Sequence, residues 1–276
     1  MGRITVGQEN SDNIDLYYED HGTGKPVVLI HGWPLSGASW EKQVGALLDA
    51  GLRVITYDRR GFGDSSKPTS GYDYDTLAAD LHKVVTKLDL RSSGLVGFSM
   101  GGGEVARYLG TYGSERVSKA VFISSVPPFL LKTADNPEGV DKSVFDGIQK
   151  AIVADRPAFL SAFFKDFYNV DVLGGTRISE QAVQSSWNVA AGASAKGTLD
   201  CVPAWGIDFR KDLQKINVPT LVIHGDADRI LPIAATGIRT NKAVKGSRFV
   251  VVEGGPHGVN WTHADKVNPE LVGFLK

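Results

Sequence analysis

The chain has 276 residues, 42% of them hydrophobic, with a formal net charge of −1 and a single cysteine, Cys201; its pI is about 6.6. That is enough for one large domain, or one domain with an insertion. It excludes an overall basic field for nucleic acid or anionic membrane, an intrachain disulfide and a cysteine-based metal cluster.

From the N-terminus, "MGRITVGQENSDNIDLYYED" has no apolar core of a secretory signal. No apolar run approaches the ~18–20 residues of a membrane span, so a cytoplasmic protein is expected, and the Asn-Trp-Thr sequon at Asn260 reads as chance. Two strands are predicted around Ile4–Val6 and Ile14–Glu19. Short apolar runs follow at 27–30, 53–58, 94–98, 120–125, 220–224 and 248–253. Such runs suit strands covered on both faces, as in a parallel sheet. Helical patterns separate them. Residues 40–51 close on Gly51, and 75–90 place Leu77, Leu81, Val84, Val85 and Leu88 on one face. Residues 101–113 and 269–276 behave alike. Strand alternating with helix predicts an α/β doubly wound sheet.

Between Pro127 and about Lys215 the rhythm changes. This stretch holds seven of the twelve Phe and two of the five Trp and no strand-like run. Phe159, Phe163 and Phe167 recur every four residues. The expected division is a core of 1–126 and 216–276, with a helical cap at 127–215 whose aromatics pack and line an apolar pocket. Cys201 reads as a small core residue of that cap.

The chemistry gathers at the strand ends. Gly97-Phe98-Ser99-Met100-Gly101 fits G-x-S-x-G between a strand and a helix, the context in which that motif forms a nucleophile elbow. The helix would aim its N-terminal N–H groups at Ser99. A serine needs a base. In the order Ser…Asp…His, His257 and His263 remain; His257, in the loop "EGGPHG" after the last strand, is preferred. For the orienting acid, "HGDADRILP" offers Asp226 and Asp228, and Asp228 is preferred, with Asp226 building the loop. Oxyanion donors are expected from the N–H groups of Met100 and Trp33, since Pro34 has none. His31 reads as shaping that loop. The pocket wall is expected from Trp33, Pro34, Val126, Phe129, Phe163, Phe167, Trp205, Ile230 and Leu231. No stretch fits a P-loop, a dinucleotide fingerprint or an EF-hand, so neither a metal nor a nucleotide is expected.

The segments "HGWPLS", "YDRRGFGDSS", "GFSMGGGEVARY", "HGDADRILP" and "PHGVNWTHA" resemble the cofactor-free haloperoxidases, or perhydrolases, and the similar bacterial aryl esterases and γ-lactamases. The likeness covers nearly the whole chain, including "CVPAW" and "DFR". It implies an α/β-hydrolase fold with an eight-stranded, mostly parallel sheet and a helical cap after strand 6. It also implies a Ser99–Asp228–His257 triad, an oxyanion hole from Trp33 and Met100, no cofactor and a homo-oligomer. Fold relatives that break epoxide or carbon–halogen bonds carry Asp at the nucleophile position, which Ser99 argues against. The "DRRGFGDS" loop reads as structural. The expected substrates are a small ester, or a carboxylic acid with hydrogen peroxide; the peracid so formed would oxidise halide. Peroxide selectivity is expected to involve Pro34, through the Trp33 carbonyl. Opening of a γ-lactam by the same triad is the alternative, and a non-catalytic ligand-binding protein is the alternative of another class.

Overall fold

The computed structural model describes residues 1–276. Its strands are β1 (Gly2–Glu9), β2 (Asp12–His21), β3 (Pro26–Ile30), β4 (Arg53–Tyr57), β5 (Ser93–Phe98), β6 (Val117–Ile123), β7 (Thr220–Gly225) and β8 (Arg248–Val252). They form one sheet in the order β1-β2-β4-β3-β5-β6-β7-β8. The β1–β2 and β2–β4 pairs are antiparallel and the rest parallel. Every predicted strand forms.

Side chains alternate across a strand, so each parallel strand feeds both faces. Val28, Ile30, Leu95, Phe122 and Val222 enter one core cluster with Leu77, Leu81, Val84 and Val85. Val27, Leu29, Val96, Val121, Ile123, Leu221 and Ile223 enter the other, with Leu47, Val267, Leu271 and Leu275. Hence the strands read as continuous apolar runs. The covering helices are α1 (Glu41–Asp49), α2 (Tyr74–Lys87), α3 (Met100–Tyr112) and the C-terminal Ala264–Leu275. That last helix starts five residues before the predicted one. Pro269 lies inside it, where it costs one backbone bond but does not stop a helix seated on the sheet by Val267 and Leu271.

The chain between β6 and β7 has no strand of the sheet. It holds α4 (Lys142–Phe167), α5 (Val170–Leu173), α6 (Glu180–Ala191), α7 (Ala195–Ala204) and α8 (Arg210–Leu213). Asp155, just before Pro157, is non-helical and kinks α4. A short α9 (Gly237–Ala243), unpredicted from the sequence, joins β7 to β8, and α10 (Val259–Thr262) precedes the last helix. The chain runs from β3 to β4 on one side and returns to place β5 on the other. That reversal leaves a crevice at the carboxyl ends of β3 and β5, where α/β sheets bind ligands.

Candidate active site

Ser99 follows β5 and begins α3 with φ 55° and ψ −118°, a strained conformation for a residue with a Cβ. Its neighbours permit the turn. A Cβ at Gly97 would lie 2.5 Å from Gly101 O, and one at Gly101 would lie 2.3 Å from Ile30 O. Both distances are far below contact, so the strand and helix can pass only because these positions lack a side chain. The turn is anchored by Ser99 N–H to Ile123 O (2.9 Å) and Gly102 N–H to Ser99 O (3.0 Å).

Three loops at the same end of the sheet bring their side chains together. His257, after β8, has Nε2 at 2.9 Å from Ser99 Oγ and Nδ1 at 2.8 Å from Asp228 Oδ2. A carboxylate only accepts, so Nδ1 carries the proton and Nε2 receives the serine hydroxyl. Asp228 follows β7, and its Oδ1 accepts the N–H groups of Ile230 (2.9 Å) and Leu231 (2.8 Å). Burial pushes its carboxyl up, but His257 and His224 outweigh burial and hold it well below the ordinary range. Asp226 is exposed and accepts from Gly254 N–H at 2.7 Å. His263 bonds Thr262 Oγ1 at 2.9 Å, between α10 and the last helix.

The β3 loop closes the other side. Trp33 is buried, and its indole donates to Thr198 O at 3.1 Å on α7. Its own backbone N–H donates to no group in the chain. The Trp33–Pro34 bond is cis. Trp33 packs against Phe163 (centroids 5.2 Å), Trp205 (4.9 Å) and Phe159 (6.2 Å). Phe167 stands edge-on to His257 at 4.9 Å, and Val126 N–H donates to Ser99 O at 3.3 Å. Phe129, in contrast, pairs its backbone with Asp208 and carries the Arg210 guanidinium on its ring at 5.0 Å. A groove of about 690 Å³ beside Tyr17, Asp58, Asp64 and Asn188 contains none of the three chemical residues; of these, His257 stands against Phe167 of the aromatic group.

Two residues to which sequence reasoning gave no part in the chemistry stand at the site. His224, the last but one of β7, puts Nε2 at 3.2 Å from Asp228 Oδ2. Arg59, in the "DRRGFGDS" loop, donates to His31 O at 2.7 Å. Of these two, only His224 had a local signal, its place four residues before Asp228 at a strand end. Phe159, picked out by its four-residue spacing though not named for the pocket wall, joins the aromatic group.

A family profile described as alpha/beta hydrolase fold matches residues 25–264. The chain belongs to the α/β-hydrolase family. This hydrolase is 71% identical over 276 residues, the whole of both chains, to a Synechocystis protein assigned by name to the non-heme chloroperoxidases. It is 37% identical, again over both whole chains, to a bifunctional esterase/perhydrolase of Acinetobacter calcoaceticus. The crystal structure of a bromoperoxidase from Bacillus anthracis superposes with a TM-score of 0.96 at 52% identity, covering 99% of each chain. The hydrolase is thus an enzyme of the haloperoxidase and esterase group.

Proposed function

We propose that this enzyme is a serine hydrolase of small carboxylic esters that works through an acyl-enzyme on Ser99. The observation that carries the reading is the unbroken relay from Ser99 Oγ through the His257 ring to Asp228 Oδ2, with both links under 3 Å. Ser99 Oγ attacks the ester carbonyl carbon as its proton passes to His257 Nε2. Asp228, held ionised, stabilises the imidazolium. The tetrahedral oxygen bears the charge. The buried Trp33 N–H has no partner in the chain, and Met100 N–H, the first of α3, has none within its helix. Buried orphan N–H groups are rare in proteins, and these two are the oxyanion donors of the reading. The carbon–oxygen bond to the leaving alkoxide then breaks, and His257 returns the proton to it. Water attacks the acyl-enzyme by the same route in reverse, releasing the carboxylic acid.

Hydrogen peroxide can take the place of water. One peroxide oxygen gives its proton to His257 and bonds the acyl carbon, the bond from that carbon to Ser99 Oγ breaks, His257 returns the proton to Ser99, and a peracid leaves. The peracid passes an oxygen atom to halide away from the protein. The esterase/perhydrolase and chloroperoxidase names of the relatives support this second acceptor. The test is turnover of p-nitrophenyl acetate, and of acetate with peroxide, by the enzyme and by Ser99→Ala. The variant is expected to keep only the ~10³–10⁴-fold over water that binding and oxyanion donors leave behind. A folded Ser99→Ala protein with near wild-type hydrolysis ends the proposal.

A further inference from the structure

Arg59 and Glu104 form an ion pair whose side chains are each only 1% exposed. Such a pair is a weak source of stability, because desolvating two charges costs about what their attraction returns. What it holds in place is therefore the question. Arg59 Nε donates to Glu104 Oε1 at 2.7 Å, and Nη2 binds the same oxygen. Nη2 also donates to His31 O at 2.7 Å, and the Arg59 backbone N–H donates to His31 Nε2 at 2.9 Å. His31 Nδ1 in turn donates to Gly32 O at 2.9 Å. Tyr57 Oη closes the group by donating to Glu104 Oε2 at 2.7 Å.

Glu104 lies four residues, about one turn, beyond Met100 on α3. His31 lies two residues before Trp33 on the β3 loop. We propose that Arg59 is a positioning residue that sets the spacing of the Trp33 and Met100 N–H groups, by bracing the nucleophile helix against the β3 loop. The proposal rests on the acyl-enzyme reading above. A planar fork can bridge a carboxylate on one element and a carbonyl on another at once, where an ammonium offers a single point. A displaced donor loses most where charge develops, in the transition state.

The test compares the wild-type enzyme, Arg59→Lys and the apolar pair Arg59→Met/Glu104→Met, which leaves no unpaired charge and so keeps the test alive if Arg59→Lys fails to fold. Each is assayed on p-nitrophenyl acetate and for affinity to phenylboronic acid, which adds to a serine oxygen as a tetrahedral anion. In the folded variants kcat is expected to fall about 10–100-fold, with KM within about threefold. Boronate affinity is expected to fall about tenfold or more. Folded variants with kcat and boronate affinity within about twofold of wild type overturn the proposal, as does a rise in KM at unchanged kcat. Ser99→Ala runs alongside. If phenylboronic acid binds wild type and Ser99→Ala equally, the serine reading fails and takes this one with it; failure confined to the Arg59 variants removes the positioning role alone.

Discussion

Asp228 Oδ2 faces two imidazoles, His257 Nδ1 at 2.8 Å and His224 Nε2 at 3.2 Å. The His224 N–H has a better-placed acceptor in Leu231 O at 2.9 Å, so it reaches the carboxylate by its partial charge more than by a directed bond. Removing it leaves the carboxylate freer to stabilise the His257 imidazolium. His224→Leu is therefore expected to move the acid limb of kcat/KM to higher pH, His224→Gln to move it less, and Asp228→Asn to move it lower. pH–rate profiles decide this; a limb unmoved in His224→Leu would mean that His224 only packs. A second consequence concerns stability. The Asp228 carboxyl is held below its unfolded value of about 3.9, so its stabilisation is complete above that pH and is lost as pH falls towards the depressed native value. Urea midpoints between pH 5 and 2 should consequently fall less steeply in Asp228→Asn than in the wild type.

Among the elements, the corner between α4 and α5 ties together the two loops that carry the acid and the base. Phe167 O accepts Gly258 N–H at 2.8 Å, next to His257. Asn169 is buried in the left-handed region at φ 48° and ψ 53°. Its Nδ2 donates to Ala227 O at 2.9 Å, next to Asp228. Arg229 adds bonds to Asp171 at 2.7 and 3.1 Å. Asn169→Gly keeps the backbone conformation accessible but drops the tie to Ala227. It is expected to lower kcat by about 3–30-fold through a looser acid loop, with KM nearly constant. Asn169→Asp, which faces a carboxylate towards a carbonyl, should lose more. Steady-state kinetics on p-nitrophenyl acetate check both; an Asn169→Asp enzyme as active as wild type would detach this corner from the chemistry.

At the scale of the whole molecule, the segment between β6 and β7 supplies Phe159, Phe163, Phe167 and Trp205, and the β3 loop supplies Trp33. Their rings form one connected group that reaches His257 through Phe167, and Ser99, bonded to His257, is 7% exposed. Edge-to-face rings at 4.9–5.2 Å make that group close-packed and rigid. A long acyl chain would have to part it, so acetate and butyrate esters should turn over faster than a dodecanoate. Phe163→Ala should narrow the difference. A chain-length series on both proteins measures it, and a wild-type preference for the dodecanoate would contradict that reading of the aromatic group. No helix of the molecule is long and apolar enough to cross a membrane.

The two glycines about Ser99 were legible because the turn they serve is local: its clashes lie within four residues or at the adjacent strand end. The parallel sheet was legible because burial on both faces leaves "VVLI" and "TLVIH" no polar alternation. His257 could be preferred to His263 because a loop directly after a strand is carried to the carboxyl edge, but Asp226 and Asp228 share one such loop, and only the structure shows that Asp228 is the one that meets His257. The rest depended on contacts between distant parts of the chain. Arg59 meets Glu104 across 45 residues and Asn169 meets Ala227 across 58. A charge in "DRRGFGDS" gives no sign in the sequence that it will be enclosed, nor which carbonyl it will find. Pro269 likewise reads as a helix start, and only packing on the sheet carries the helix through it. The sequence by itself determined the strand–helix alternation, the elbow and the loops that bear Ser99, Asp228 and His257, because periodicity and steric exclusion act over a few residues. The tertiary structure alone decided the second histidine on Asp228, the buried brace behind the β3 loop and the joining of the aromatic group to His257, because burial and hydrogen-bond partnership belong to the assembled sheet and cap.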